Sequence, residues 1–351
     1  MNLRLFFQRS FPLVLRLLLR RRLTPRKILN LWSNFYMGHF KKTAGRGASP
    51  SVMMVEITNA CNLACTGCAL QMEGSVSMQA NRKMIDFDMY TKLVDDVQDD
   101  LIFLVPYLGG ESFLNKQMFD AIKYASDRGI SVSATTAASF DHIKDFGQKI
   151  SDSGLDFLFF SISGTEQEIY ENFHVKGELA KVIANIKDVT RFPKSQRPRV
   201  CVRYLRTPYN AEDIKKLPEF TKELGADFFE IRQVDGTLEA VDTMTSKEEG
   251  ISPEDFTESC PWLWASTVIK ANGEVIPCCF DYYGVPEMGA INALDKGIRD
   301  VWNGEGYKKF RSAWYKGGSE LDCCAQCRPS LGYQDTASVE RAKQYVRTER
   351  M

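Results

Sequence analysis

The sequence predicts an α/β fold: a partial (β/α)6 TIM barrel followed by a small cysteine-rich α+β domain. Two observations carry this prediction. Between residues 51 and 234, strand-like and helical runs alternate six times, the pattern of a parallel sheet with right-handed crossovers. Eight of the ten cysteines fall into two groups: Cys61, Cys65 and Cys68, then Cys278, Cys279, Cys323, Cys324 and Cys327. Six units are too few for a closed eightfold barrel and suit an open one. In such sheets the ligand site lies at the carboxyl ends of the strands.

The elements follow in order. MMVEIT reads as the first strand, DFDMYTKLVDDVQ as a helix, LIFLVPYL as the second strand and NKQMFDAIKYASDRG as a helix. ISVSATT, LDFLFFSIS, RVCVRYL and ADFFEIRQV are the remaining strands. HIKDFGQKISDSG, GELAKVIANIKDV and AEDIKKLPEFTKELG are the helices between them. The strand runs are short and rich in β-branched or aromatic residues, whereas the helical runs space their apolar residues by 3.6. Gly129, Gly154 and Gly225 stand where helices stop.

Residues 235–254 are polar and acidic and read as a linker into the cysteine-rich region, residues 255–335. That region opens with a hairpin, STVIKANGEVIPCC, turning at Asn272-Gly273. Residues 336–351 read as a terminal helix.

Residues 1–50 form a basic arm with eleven Lys and Arg and no Asp or Glu, leaving 34 basic and 45 acidic residues in the rest. A formal net charge of zero thus joins a basic arm to an acidic body. Pro12 and Pro25 are expected to interrupt any helix in the arm. Arg16 splits its apolar run and no small-residue cleavage site follows, which speaks against a secretory signal. No stretch has the ~18 apolar residues of a membrane span. Arg interleaved with Leu and Phe suits an interfacial segment on an anionic membrane, through residues 1–45, better than nucleic acid, which is not expected as a partner. The plainer reading is that these Leu and Phe pack across the body. Clustered cysteines in a chain this long favour metal ligation over disulfides and place the protein in a reducing compartment, expected to be the cytoplasm, peripheral at the inner membrane face.

EITNACNLACTGC puts Cys61-x3-Cys65-x2-Cys68 directly after the first strand. Three thiolates hold three irons of a cubane cluster that normally takes four, so one iron keeps an open position. Structural zinc needs four closed ligands, and none of His39, His142 or His174 lies in this loop.

This spacing resembles the signature of the radical S-adenosylmethionine (SAM) superfamily. The resemblance extends over residues 53–330. Gly109-Gly110-Glu111 follows the second strand and resembles the motif that holds the SAM amino group. Ser161 and Ser163, in FSISG after the fourth strand, resemble the turn that contacts the ribose and carboxylate, with Ser163 where Asp is common. Arg203 is a candidate partner for the SAM carboxylate, or else a sheet-face residue paired with a helix. Two departures stand out. Gly67 occupies a position that is often aromatic, and YENFHVKG offers His174 and Lys176 where an Arg is frequent.

The second group resembles the SPASM-type extension of that superfamily. The resemblance implies one auxiliary [4Fe–4S] cluster held by Cys260, Cys278, Cys324 and Cys327, with Cys279 or Cys323 able to replace its neighbour. A four-cysteine zinc site fits the spacing equally.

Together these imply an enzyme that binds a [4Fe–4S] cluster and SAM, and takes an electron from a reductant such as flavodoxin or ferredoxin. It cleaves SAM to a 5′-deoxyadenosyl radical and abstracts hydrogen from a substrate. The auxiliary cluster transfers electrons. The basic arm points to a small or membrane-proximal substrate: a sugar, an aminocyclitol or a lipid-linked group. The alternatives are a peptide-modifying maturase, for which the arm looks too short and basic to be a recognition domain, and a non-enzymatic iron–sulfur or zinc protein. Cys201 is one candidate to quench a product radical.

Overall fold

A computed structural model describes residues 17–38, 49–68, 83–207, 209–233, 260, 262–279, 291–317, 324 and 336–338. The expected linker and Cys327 lie outside these residues, as does most of the expected terminal helix.

The elements run α1 (Pro25–Tyr36), β1 (Val52–Val55), α2 (Phe87–Val97), β2 (Phe103–Val105), α3 (Met118–Asp127), β3 (Ser131–Thr136), α4 (Phe146–Asp152) and β4 (Phe157–Ile162). Then come α5 (Gln167–Glu171), α6 (Leu179–Thr190), β5 (Arg199–Arg206), α7 (Leu217–Glu223) and β6 (Phe228–Gln233). The cysteine-rich region gives α8 (Trp262–Ala265), β7 (Ser266–Ile269), β8 (Val275–Ile276), α9 (Ala293–Lys296), α10 (Ile298–Trp302) and α11 (Glu305–Gly317), and Thr336–Ser338 forms β9. The sheet order is β8-β7-β1-β2-β3-β4-β5-β6-β9, open rather than closed.

Strands β1 to β6 lie side by side in chain order and pair in parallel, as the alternating pattern predicts. The cysteine-rich hairpin does not build a sheet of its own. Its first strand pairs in parallel with the outer edge of β1, Met53 beside Thr267, and β8 returns antiparallel. Glu56, buried, ties the two regions together: its carboxylate accepts from the Ala271 amide at 3.1 Å. At the other edge, β9 pairs antiparallel with β6, so Thr336–Ser338 is strand where a helix was expected.

Pleating sends alternate side chains to opposite faces. Met53, Leu104, Val132, Leu158, Phe160, Val200, Val202 and Phe229 join the helices in one large buried core. The other face of β3 to β6 carries Thr135, Phe159, Ser161, Cys201, Arg203 and Glu230, a surface with polar and ionic groups. Ser161, Arg203 and Glu230 lie in register in one row.

The arm corrects the reading of Pro25. Rather than interrupting a helix, Pro25 opens one at N1, where its missing N–H costs nothing, and Thr24 Oγ1 accepts from the Lys27 amide at 3.3 Å. The helix packs by its polar side. Lys27 donates to Gly129 O (2.6 Å), and Asn30 and Asn34 both donate to Ser49 O (2.9 and 2.8 Å). Arg26 pairs with Asp99 and Asp100, and Arg20 and Arg22 pair with the buried Asp156. Asp100, Gly129 and Asp156 immediately precede β2, β3 and β4, so the arm crosses the amino-terminal ends of those strands.

Candidate functional site

The opposite end of the sheet gathers the sequence-predicted residues. The loop after β1 carries Cys61, Cys65 and Cys68, all half-buried and none in a disulfide. It is held from the side by the segment after α5: the Ala64 and Thr66 amides donate to Val175 O and Phe173 O, each at 3.0 Å. Asn62 Nδ2 donates to Ser139 O at 2.7 Å. Gly67 takes φ +73°, a backbone state that an aromatic residue resists, which accounts for the departure there.

Burial pushes the Cys61 thiol up to about 11 and Cys65 up to about 12, and Cys68 and Glu111 add to both shifts. The three thiols therefore sense one another. Protonated in their own environment, the thiols become ligands when iron displaces their protons.

The Gly109-Gly110-Glu111 turn lies directly on this loop. Gly110 has φ +73°, and a Cβ there would sit 2.6 Å from both Thr58 O and Ala60 O. The Glu111 amide donates to Ala60 O at 2.8 Å. The Glu111 carboxylate, however, turns into the protein. Oε2 accepts from Thr136 Oγ1 (2.8 Å) and the Ala137 amide (2.9 Å), and Oε1 from the Phe113 amide (3.2 Å). Burial raises its pKa, while these donors partly hold it down. The residue fastens the turn to the end of β3.

Ser163 is likewise turned inwards. Its hydroxyl donates to Tyr170 O at 2.9 Å and lies 2.6 Å from His174 Nδ1. His174 stacks on Tyr170 at 4.7 Å and is buried. Sequence reasoning noted His174 as a substitute for an Arg and missed this role: Ser163, Tyr170 and His174 form the knot from which the segment bracing the cysteine loop departs. A buried imidazole in a chain with three histidines was the available signal.

Burial drives His174 down to about 3. The unfolded chain therefore takes up this proton first, so its contribution to stability is full above pH ~6.5 and is lost as pH falls towards the folded value. Between pH 6.5 and 5.5 the native protein is expected to lose about 1 kcal/mol from this group. Chemical denaturation at both pH values checks it: His174→Asn is expected to remove that part of the slope, and an unchanged slope refutes the assignment.

Ser161 keeps its place on the inner face beside Arg203. Arg203 pairs with Glu230 of the neighbouring strand, not with a helix. It also donates to Thr135 Oγ1 (3.2 Å) and Tyr107 Oη (3.4 Å), and lies over Phe159 at 4.4 Å. Cys201 is fully buried, and burial, with Glu230 nearby, raises its thiol well above the ordinary value.

In the second group, burial pushes Cys260 up to about 11, with Cys278 and Cys324 adding to the shift. These three are thus neighbours, although more than sixty residues of chain separate Cys260 from Cys324. Cys260 and Cys324 pack on the main core, whereas Cys279 packs with Met54, Val268 and Ile276 on the other face of the sheet. Cys323 lies outside the described residues. Beside this set sits Tyr307, which senses both Cys278 and Arg311. Arg311 is buried, donates to Leu263 O (2.9 Å) and Trp302 O (3.2 Å), and stacks over Trp302 at 4.2 Å.

Comparison with known proteins decides the family. Residues 55–220 match the model of the radical SAM superfamily, and residues 260–328 match the SPASM iron–sulfur cluster-binding domain. The chain is a radical SAM protein with a SPASM domain. Membership brings a SAM-binding [4Fe–4S] cluster, SAM and an auxiliary cluster. The PqqA peptide cyclase of Bradyrhizobium diazoefficiens is 26% identical over 148 residues, 40% of this chain and 38% of that one. The PqqA peptide cyclase of Ruegeria pomeroyi is 20% identical over 318 residues, 80% of each chain. Streptococcus suis SuiB bound to S-adenosylmethionine superposes with a TM-score of 0.59 at 16% identity, covering 75% of this chain and 68% of SuiB, a likeness of fold.

Proposed function

We propose that this radical SAM protein modifies a peptide. The observation that carries this is the match to the Ruegeria peptide cyclase, which runs through both the barrel and the SPASM domain, 80% of each chain. The preference for a lipid-linked substrate rested on the basic arm. The described part of the arm, residues 17–38, contacts the amino-terminal ends of β2 to β4, so those contacts give no reason to place the substrate in lipid.

Cys61, Cys65 and Cys68 are the proposed ligands of the SAM-binding cluster, leaving one iron open. A cluster held there would bind SAM and, with one electron from a reductant, would supply the chemistry for taking hydrogen from the substrate, with methionine as the group released. Gly109, Gly110 and Glu111 are the proposed contacts of the SAM ammonium, the Glu111 carboxylate also accepting from Thr136 and the Ala137 amide. Ser161 and Arg203 line the inner face at the same end, with Arg203 placed for the SAM carboxylate while Glu230 balances and orients it. Ser163, a proposed SAM contact, also positions the bracing segment. Cys260, Cys278, Cys324 and Cys327 are the proposed ligands of the auxiliary cluster, which receives or delivers electrons.

The test uses a library of short synthetic peptides, incubated anaerobically with reconstituted enzyme, SAM and dithionite. The product is expected to lose hydrogen in step with the 5′-deoxyadenosine formed, read by mass spectrometry. Peptide returned unchanged while a small metabolite is converted instead would overturn the peptide reading. The arm's basic charge supports a peripheral place at an anionic, cytoplasm-facing membrane surface.

A further inference from the structure

Helix α1 is inside out. A surface helix ordinarily buries its apolar stripe. Here Lys27, Asn30 and Asn34 are buried and hydrogen-bonded to the body, while Ile28, Leu29, Leu31 and Trp32 face outwards. Leu29 is 66% exposed and Trp32 60%, and the preceding turn adds Leu19 at 76%. Of eleven large apolar side chains exposed among the described residues, eight lie between Leu18 and Tyr36. A contiguous apolar patch of this kind marks a docking surface.

Charge selects the occupant. In sequence, residues 1–50, which supply this helix, hold eleven basic residues and no acidic one, four of them (Arg20, Arg22, Arg26 and Lys27) bound to the body, while the rest of the chain has 34 basic and 45 acidic residues. A protein surface of unspecified sign does not explain that polarity, whereas a sheet of anionic headgroups over hydrocarbon does. It attracts the arm, repels the body and accepts Leu, Ile and Trp at its interface. Among the described residues no helix is long and apolar enough to cross a membrane, so the contact is on the surface.

Geometry then fixes the orientation. The polar face of α1 is pinned to Asp100, Gly129 and, through Arg20 and Arg22, Asp156, at the amino-terminal ends of β2, β3 and β4. The cysteine loop is at the carboxyl end of β1. We propose that the outer face of α1 and its basic arm dock the protein on an anionic membrane with the cluster end of the barrel turned away from the lipid. This deepens the peripheral reading above and rests on the radical SAM reading only for which end carries the chemistry.

The test uses full-length reconstituted holoenzyme and vesicles of phosphatidylcholine with or without phosphatidylserine. Co-sedimentation is expected only with phosphatidylserine and weakens as salt rises. Combining Ile28→Gln, Leu29→Gln and Trp32→Gln is expected to weaken it at least about tenfold. These side chains are solvent-exposed, and unchanged 5′-deoxyadenosine formation reports that the variant is folded. For orientation, brominated lipid is expected to quench wild-type emission in a way that Trp32→Phe abolishes. In the Trp32→Phe background, a tryptophan introduced by Tyr209→Trp, exposed just past the carboxyl end of β5, is expected to stay unquenched. Equal binding by the triple variant, binding without anionic lipid, or quenching at position 209 overturns the proposal. So does an oligomer that the triple variant dissolves, since a second copy then covers the face. Absence of 5′-deoxyadenosine from the wild-type enzyme strikes the enzyme reading and leaves the vesicle results intact.

Discussion

Replacing Cys61, Cys65 or Cys68 with Ala is expected to reduce 5′-deoxyadenosine formation by at least about a thousandfold, because the cofactors carry the difficult chemistry and none of the protein's own groups can substitute. The loss is expected to be selective. All three cysteines are half-buried in one loop braced by Phe173, Val175 and Ser139 through backbone atoms, so removing a thiol leaves the bracing bonds in place. Iron should fall by about four per chain while the auxiliary cluster's iron stays. Iron analysis with turnover measurement checks both. Retained activity, or loss of iron from both sites together, contradicts the division of ligands proposed above. Zinc in place of the remaining iron would reassign the Cys260, Cys278 and Cys324 set.

Gly110→Ala is expected to be severe for a different reason. The residue holds φ +73°, and its new Cβ would meet Thr58 O and Ala60 O at 2.6 Å and Asn59 C at 2.9 Å. All three are backbone atoms of the stretch leading into Cys61, and none can swing aside as a side chain does. Backbone strain of about 1–3 kcal/mol and a clash of similar size together cost on the order of 3 kcal/mol of stability. The relief available is to push the cysteine loop away, and a displacement near 1 Å at a reacting centre costs on the order of a hundredfold in rate. Thermal unfolding and the rate of SAM cleavage read the two effects separately. A variant that matches the wild type in both refutes the close approach of turn and loop.

Much of this site was legible in the sequence because its logic is local. A cysteine triplet after one strand and a Gly-Gly-Glu turn after the next land at the same end of any parallel sheet, and they do. The alternation of β1 to β6 and the Asn272-Gly273 hairpin were legible for the same reason. What was not legible depends on distant partners. Nothing in STVIKAN says that β7 will pair with β1, more than 200 residues earlier, because parallel pairing leaves no local mark. Glu111 and Ser163 sit in their motif positions yet spend their side chains on Thr136 and His174, contacts set by packing across the sheet. Pro25 was read as a breaker because proline in a helix interior and proline at N1 look alike until the N-cap, Thr24, is recognised. The inverted polarity of α1 was half visible. Its amphipathic composition is in the sequence, but which side meets the body depends on Ser49, Asp100 and Gly129.

The most direct measurement is 5′-deoxyadenosine release by the anaerobically reconstituted protein with SAM and dithionite. The account predicts that it forms with the wild-type chain and disappears with Cys65→Ala. A wild-type protein whose clusters are intact by electron paramagnetic resonance, but which forms none, would contradict the central claim that Cys61, Cys65 and Cys68 leave an iron open to SAM.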